Sequence, residues 1–386
     1  MTVTDSRRDP AIDVVVAVDE LAVDARRRAV ETNELRAVPA DLMARIKAAG
    51  LCQLLLPASL GGLEVDPITV VDVIERLAAA DGSTAWTTMI GNSTLFFAWL
   101  DPDVARDLVA DEVAFASTSV FAPLGRAVPT SRDMLRLSGR WPFNSGCDHA
   151  EWSSVGMFVM DGDRPRLRAD GQPDWRFAFF PAGLATRHDT WHALGLRGTA
   201  SHDLEVDGLE VPVWHTAGCM FDPPRHDGPL WRLPAFTLLN FLIAGFPLGI
   251  ARRALDEFAA LAPTKRRGSS PTTVAEDGYT QYEFGRCEAA VRSARTFVFD
   301  TIGDVWNTSV RGDVPSDAQI SELYAATQNA MRASIEAVDT CFTLAGSGAV
   351  YDHHPLQRCF RDLHTARQHI GFNPDWLQSF ARSRFG

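Results

Sequence analysis

Several features are missing from this 386-residue sequence, and each absence removes a class of protein. The six cysteines are widely scattered and form no Cys-x-x-Cys pair, which argues against a disulfide framework and against a zinc site. Neither G-x-x-x-x-G-K-S/T nor a strand-linked G-x-G-x-x-G occurs, so nothing indicates a P-loop or Rossmann nucleotide site. No apolar run approaches the roughly 18 residues that cross a bilayer, and acidic residues interrupt the apolar stretch near the N-terminus, unlike a secretory signal. We therefore expect a cytoplasmic protein without a metal site.

Positive charge is also in deficit. The chain has 37 Lys and Arg against 49 Asp and Glu, a formal net charge of -12, which argues against binding to nucleic acid or to anionic membranes. With 46% hydrophobic and 22% charged residues the composition is that of a globular protein. The length exceeds what one hydrophobic core normally serves, so two or three domains are expected.

The pattern of apolar and polar residues changes twice along the chain. Residues 1–115 show helical periodicity, residues 116–222 show alternating apolar and polar stretches punctuated by Gly, Pro and Asp, and residues 223–386 show long amphipathic helices. This order predicts a mostly α-helical α+β protein, with an N-terminal helical domain, a central β-domain and a C-terminal four-helix bundle.

Start signals place some of the helices. Asp66, followed by proline, opens a helix, and a buried turn precedes it. Ser83 is predicted to cap a helix over 84–99. Ser316, with a glutamine three residues on, forms a capping box that opens one of the C-terminal helices.

Two stretches resemble the acyl-CoA dehydrogenase superfamily. LMARIKAAGLCQLLLPASLGG (42–62) resembles the N-terminal domain of that superfamily, and LGLRGTASHDLEVDGLEVP (194–212) resembles its β-domain signature. The resemblance extends over nearly the whole chain, in the same order, and implies the fold of that superfamily, with a central β-barrel between two helical domains.

Three further stretches are similar to one branch, the two-component flavin monooxygenases related to 4-hydroxyphenylacetate hydroxylase and dibenzothiophene monooxygenase. They are PLGRAVP (123–129), SGRWPFNSGCDHAEW (138–152) and PLQRCFRDLHTARQH (355–369). The resemblance implies a homotetramer, or a dimer, that receives reduced FMN or FAD from a separate NAD(P)H:flavin reductase. With O2 as co-substrate, a C4a-hydroperoxide would then oxygenate a small organic molecule.

Ser145 and His369 are the catalytic candidates. Asn144, Ser145 and Gly146 break a strand, so backbone amides and the Ser145 hydroxyl are free to donate hydrogen bonds to the flavin N5/O4 edge, although an ordinary Ser at a strand end has the same spacing. His369 matches the histidine that lies over the flavin in this branch and stabilises or protonates the peroxide. His364 lies about 140° away around a helix and is expected to pack or cap.

The remaining candidates have core packing or a solvated surface as alternatives. Lys265 and Arg267 are candidates for the flavin phosphate, and Thr118 lies on the first strand, where polar groups near the flavin are implied. The other predicted flavin contacts are Trp141, Asn144, Gly146, Ser117, Ser119 and Trp191. The predicted substrate pocket is formed by Asn92, Phe96 and Trp86.

Departures from the superfamily distinguish the possible functions. The Tyr-Glu-Gly-Thr context of the usual dehydrogenase carboxylate is replaced by HIGFNPDW (369–376), and the FAD motif Arg-x-Gln-Phe-Gly by APTKRRGSSP (262–271). The Gln-x-x-Gly-Gly motif is reduced to LAGSGAV (344–350). These changes favour a monooxygenase that uses FMN or a transient reduced flavin. An FAD-dependent acyl-CoA dehydrogenase and a non-catalytic scaffold protein remain the alternatives.

Overall fold

A computed structural model describes residues 10–385 of the protein. The first part is helical, and its segment 51–57, between two of the helices, is buried throughout, which confirms the predicted buried turn. The prediction that the N-terminus is not a secretory signal concerns a stretch whose first nine residues lie outside the described residues. The helices are α1 (Pro10–Arg27), α2 (Ala29–Leu35), α3 (Ala40–Ala48), α4 (Pro67–Ala80), α5 (Gly82–Gly91) and α6 (Pro102–Val109).

Helix α4 begins as predicted, but α5 does not. The cap of α4 is Asp66, whose carboxylate accepts from the Thr69 amide at 3.0 Å. The cap of α5 is Asp81, because its carboxylate accepts from the Thr84 amide at 2.8 Å, and Ser83 lies inside the first turn. Helix α5 ends at Gly91, and a separate 3-10 segment follows over Ser93–Trp99. The predicted single helix over 84–99 is therefore wrong.

The middle of the chain forms an eight-stranded sheet with the hydrogen-bonded order β6-β7-β2-β1-β3-β5-β8, in which β4 pairs with β3. Apolar side chains from five of these strands form a core of their own, separate from the main core. The sheet therefore encloses a core, as a barrel does, while its hydrogen-bonded path stays open at β6 and β8. The strands are β1 (Ser117–Pro129), β2 (Met134–Asn144), β3 (Trp152–Asp161), β4 (Arg164–Pro165), β5 (Trp175–Pro181), β6 (Thr186–His188), β7 (His202–Pro212) and β8 (Thr216–Ala217).

Long helices follow the sheet. Ser316 caps α9 through the predicted capping box with Gln319. The short helix α11 was not predicted and packs against α9. The predicted domain boundaries at 115/116 and 222/223 fall in the connections on either side of the sheet and remain predictions. The helices are α7 (Ala235–Leu261), α8 (Gly278–Val310), α9 (Asp317–Ala345), α10 (Pro355–Ala366) and α11 (Asp375–Phe385).

Helix α7 is the centre of the main core. It is long and apolar enough to cross a membrane, so the prediction that no apolar run reaches that length is wrong, but 83% of its most apolar window is buried inside the protein. Two glycines allow α7 to lie directly against α4. A Cβ on Gly245 would stand 2.4 Å from the Val71 carbonyl oxygen, and one on Gly249 would stand 2.2 Å from that of Glu75. The apolar length of α7 is therefore explained by helix packing.

The three parts of the chain meet around Asp362 on α10. Its carboxylate accepts from the Leu196 amide, in the loop before β7, at 2.6 Å. The first turn of α5 lies against the same carboxylate, because a Cβ on Gly82 would be 3.0 Å from Asp362 Oδ2. Burial and the neighbouring Asp81 carboxylate raise the pKa of Asp362 to about 7.

Protonation of Asp362 should make stability depend on pH. Folded Asp362 keeps its proton up to a pKa of about 7, whereas unfolded Asp loses it near the ordinary 3.8. The resulting stabilisation is complete below 3.8 and is lost as the pH rises through about 7. Asp362→Asn retains an acceptor for Leu196 and has no proton to lose, so its Tm should fall less than that of the wild type between about pH 4 and pH 7. Calorimetry would measure this difference. Asp161→Asn, which removes an exposed carboxylate, is the control, and equal pH dependence in both variants would contradict the prediction.

Candidate active site

A large cavity lies where the sheet meets the two helical regions. Its volume is about 1040 Å³, at the upper end of the range of small-molecule sites, about 300–1,000 Å³. The walls come from α5, β1, the end of β2, the loop before β7, the start of α7 and residues 364–370. The aromatic rings that line it are Trp86, Phe121, Phe143, Trp175, Trp191 and Phe236.

Ser145 lines this cavity as one member of a chain of hydrogen bonds. The indole Nε1 of Trp86 donates to Ser145 Oγ at 3.2 Å, and Ser145 Oγ lies 2.7 Å from Ser201 Oγ. Ser201 Oγ lies 2.6 Å from Thr199 Oγ1, which donates to the Leu196 carbonyl oxygen at 2.9 Å. Because the Leu196 carbonyl can only accept, all four contacts are satisfied together when Thr199, Ser201 and Ser145 each donate to the next member toward it. In this arrangement Ser145 presents a lone pair to the cavity, and its predicted role as a donor to the flavin stays a prediction.

The backbone around Ser145 does not face a ligand either. The Ser145 amide donates to the Phe143 carbonyl oxygen at 2.9 Å, and the Gly146 amide donates to the Thr199 carbonyl oxygen at 2.7 Å. The Asn144 side chain is fully buried, and its Oδ1 accepts from Thr118. Asn144 and Gly146 therefore shape the turn that exposes Ser145, and the expectation that free amides face the flavin is wrong.

His369 lies beyond the end of α10, where it caps a short 3-10 turn. Its Nδ1 accepts from the Gly371 amide at 3.2 Å, so the ring proton is on Nε2. Burial lowers the pKa of His369 to about 4, and the imidazole is therefore neutral at neutral pH. The ring packs edge-on against Trp86 with centroids 5.3 Å apart. Nε2 has no hydrogen-bond partner within residues 10–385, which leaves one N–H donor available to a ligand.

His364 also lines the cavity. The prediction that the two histidines face apart assumed one continuous helix, whereas α10 ends at Ala366. The imidazole of His364 packs against Phe360 and its Nε2 lies 2.8 Å from Asp339 Oδ1. His364 therefore packs against its neighbours, as expected, but it also lines the cavity, which was not expected.

The serines of β1 are divided between the cavity and the core. Ser119 lines the cavity, and its buried Oγ has no partner among the described residues. Ser117 is fully buried without lining the cavity, and Thr118 points to the other side of the strand, where it contacts Asn144.

Trp141 is not brought to the cavity, and its predicted flavin contact is wrong. Its side chain is fully buried in the core of the sheet, and Nε1 donates to the Gly156 carbonyl at 2.8 Å. Strand alternation explains the position, because Leu135, Leu137 and Trp141 share one face of β2.

Lys265 and Arg267 are also remote from the cavity, and their predicted contact with the flavin phosphate stays a prediction. They follow the C-terminal end of α7, whereas the cavity contacts Phe236 at its N-terminal end, about 37 Å away at 1.5 Å per residue. Arg267 instead lies 3.6 Å from the Asp277 carboxylate.

Of the three predicted substrate residues, Trp86 lines the cavity and the other two do not. Asn92 is fully buried: its Oδ1 accepts from the Leu54 amide at 2.8 Å, and its Nδ2 donates to the carbonyls of Leu51 and Thr88 at 2.7 and 2.9 Å. Phe96 is fully buried among aromatic rings. The predicted substrate contacts of Asn92 and Phe96 are therefore wrong.

A small chamber of about 50 Å³ adjoins the large cavity at His369. Its far wall contains Asn240 of α7, Tyr324 of α9 and Trp376 of α11, none of which the sequence analysis found. Asn240 interrupts an otherwise apolar stretch of α7, which is the signal that could have identified it. The residues shared by the chamber and the cavity are Ile90, Phe121, Phe236, His369 and Ile370.

The aromatic walls, the ordered hydroxyls and the neutral histidine define an enzyme with space for a planar cofactor and a substrate. Comparisons with known proteins agree. Family models of the acyl-CoA dehydrogenase N-terminal and C-terminal domains match residues 15–100 and 241–374. The indole-3-acetate monooxygenase of Acinetobacter baumannii is 30% identical over 380 residues, which cover 97% of this chain and 95% of that protein.

Solved structures show the same architecture. The HsaA monooxygenase of Mycobacterium tuberculosis matches with a TM-score of 0.88 at 26% identity, covering 98% of both chains. XiaF from Streptomyces sp., solved with FADH2 and glycerol, matches in fold with a TM-score of 0.86 at 24% identity, covering 97% of this chain and 96% of that one. The chain belongs to the acyl-CoA dehydrogenase superfamily, in its branch of two-component flavin-dependent monooxygenases. The predicted family and fold class are confirmed.

The contacts of Asn92 predict a structural role for this residue. Asn92→Leu would leave one buried amide and two carbonyls without this partner, so the free energy of unfolding should fall by about 2–4 kcal/mol. Urea denaturation would measure the loss, with Asn307→Leu, which changes an exposed amide on α8, as the control. Unchanged stability together with weakened substrate binding would return Asn92 to the substrate site.

Proposed function

We propose that this protein is the oxygenase component of a two-component flavin-dependent monooxygenase that uses reduced FMN or FAD and O2 to oxygenate a small organic molecule. A separate NAD(P)H:flavin reductase supplies the reduced flavin. The observation that carries the proposal is the position of His369, whose free Nε2–H lies between an aromatic-walled cavity and an apolar chamber. A cytoplasmic location is also proposed, and the six free cysteines support it.

The residues of the large cavity fit a flavin ring. The volume and the flat aromatic walls suit a planar heterocycle, and the Ser119 hydroxyl is buried without a partner. Ser145 offers a lone pair, which suits the N–H of a reduced flavin ring and not the bare nitrogen of the oxidised ring. When bound, the reduced flavin supplies the electrons that activate O2. Among residues 10–385, no Lys or Arg lines this cavity, so the proposal places the ring there and the phosphate outside it.

His369 acts as a neutral hydrogen-bond donor in this proposal. With a pKa of about 4 it carries no exchangeable imidazolium proton at neutral pH, so it holds its proton at Nε2 and donates a hydrogen bond to an oxygen that develops negative charge. The expectation that His369 supplies a proton is therefore replaced by stabilisation through hydrogen bonding. The surrounding apolar walls exclude water, which strengthens that bond.

An acyl-CoA dehydrogenase is the weaker candidate. That reaction needs a carboxylate to remove a proton from the substrate, and in the described part of the chain no Asp or Glu lines the cavity or the chamber. Asp339 is the carboxylate paired with His364, and it is separated from the cavity by that imidazole.

A homotetramer is proposed, because the C-terminal helices leave large apolar side chains in solvent. Such side chains commonly mark subunit contacts. The exposed residues include Tyr279, Tyr282, Val350, Tyr351, Leu377 and Phe385.

The substitution His369→Asn tests the function and the role of this residue together. The Asn side chain retains an acceptor for the Gly371 amide but does not reach as far as Nε2, so folding and reduced-flavin binding should persist. Loss of a hydrogen bond worth about 1–3 kcal/mol should lower the ratio of oxygenated product to released hydrogen peroxide by roughly tenfold to a hundredfold. His353→Asn, outside the cavity, is the control. An unchanged ratio, or a wild type that forms no oxygenated product from reduced FMN and O2, would contradict the proposal.

The assembly is tested by light scattering at micromolar concentration. We expect a mass of about four times the 42.3 kDa chain, because burial of the exposed apolar side chains favours association. A stable monomer would rule out this assembly, and a dimer would restrict the interface to one pair of surfaces.

A further inference from the structure

The junction between the chamber and the large cavity, formed by the residues that line both, is lined by neutral side chains. Among residues 10–385, no Lys, Arg, Asp or Glu lines either space. The two titratable groups of the chamber are neutral at neutral pH as well. Burial lowers the pKa of His369 to about 4 and raises the pKa of Tyr324 to about 12. A ligand at this junction therefore meets no fixed charge of either sign.

A charged group would be unstable in such a site. An ionised carboxylate that leaves water for an apolar site loses its hydration, and without a cation or several hydrogen bonds the cost is large. An uncharged amide of the same shape loses far less, and one or two hydrogen bonds offset that loss. The chamber should therefore distinguish ligands by charge as well as by size.

One side chain of the chamber is oriented to bind a polar atom. The Thr327 hydroxyl donates to Asn240 Oδ1 at 2.9 Å, closer than the 3.3 Å to its other acceptor, the Leu323 carbonyl, and this contact orients the amide. Nδ2 is left without a partner in the part of the chain that the structure describes, and the residue as a whole is 4% exposed. A buried N–H donor in an apolar wall favours a ligand with an acceptor at that point.

The volume of the chamber limits how much of a ligand it can hold. About 50 Å³ is too little for an aromatic ring, so a substrate would lie across the junction beside His369, with its polar end in the chamber.

Building on the proposed monooxygenase function, we propose that the substrate is an uncharged aromatic compound with a hydrogen-bond acceptor, and that Asn240 Nδ2 binds this acceptor. The similar enzyme from Acinetobacter baumannii is named for indole-3-acetate, which is an anion. The walls of this chain fit the neutral amide of the same skeleton better than the acid.

The test compares two ligands of nearly equal shape, indole-3-acetamide and indole-3-acetate. Titration calorimetry near pH 7.5 would measure both Kd values for the full-length protein, alone and with anaerobic FMNH2. We expect the amide to bind at least tenfold more tightly than the anion. Equal affinities, tighter binding of the anion, or no binding of either ligand in both states would overturn the proposal.

A second comparison tests Asn240 itself. Asn240→Leu removes the donor with little change in volume, so it should weaken binding of indole-3-acetamide roughly tenfold while leaving naphthalene, which has no acceptor, unchanged. Asn329→Leu on α9 lies outside the chamber and should alter neither affinity. Parallel losses for both ligands in Asn240→Leu would indicate general damage to the chamber and would overturn the role of Nδ2.

These binding measurements are independent of turnover. Preference for the amide without any oxygenated product would contradict the proposed function and leave the charge selectivity standing. Oxygenation of indole-3-acetate, together with equal affinities for the acid and the amide, would support the proposed function and contradict the charge selectivity.

Discussion

The hydrogen bond from the Leu196 amide to the buried Asp362 carboxylate holds the cavity together. Leu196 has a φ of 51°, a backbone conformation that costs energy for a residue with a side chain and persists where the surroundings enforce it. Its carbonyl accepts from both the Trp191 indole and the Thr199 hydroxyl, so one residue fixes three points of the loop before β7. Helix α10 carries Asp362 and leads into His369. The same contact therefore sets the distance between His369 and the loop before β7, which form two walls of the cavity.

The polar groups of the site show how few atoms are left for a ligand. Asn92, Asn144 Oδ1 and the amide of Gly146 are bonded to other protein groups, although each residue was a reasonable candidate on sequence alone. Among residues 10–385, the atoms of the cavity and chamber without a protein partner include Ser119 Oγ, Trp175 Nε1, Thr365 Oγ1, His369 Nε2 and Asn240 Nδ2. This small number suits an enzyme in which the cofactor carries out the chemistry, while the protein positions the cofactor and excludes water.

Local signals in the sequence were sufficient to place several elements, because caps such as Asp66 and Ser316 and the alternation of β2 act over a few residues, whereas the start of α5 at Asp81 was missed. Ser145 and His369 could be predicted as partners through family resemblance, since they are more than two hundred residues apart in the sequence. Trp141 was predicted to contact the flavin, although its even spacing from Leu137 along β2 puts both side chains on the face that packs in the core of the sheet. Asn240 could have been noticed as a polar residue in an apolar stretch, but its grouping with Tyr324 and Trp376 depends on helix packing that no local pattern encodes.

The hydroxyl chain that begins at Trp86 and ends at the Leu196 carbonyl has a single direction. Rows of hydroxyls usually have two equivalent hydrogen arrangements that interconvert, and this residual disorder would blur the polarity of the wall. Here the acceptor-only carbonyl at one end favours the arrangement in which every hydroxyl donates toward it. In that arrangement the hydroxyl dipoles point the same way along the wall, in a direction that the fold sets before a ligand arrives.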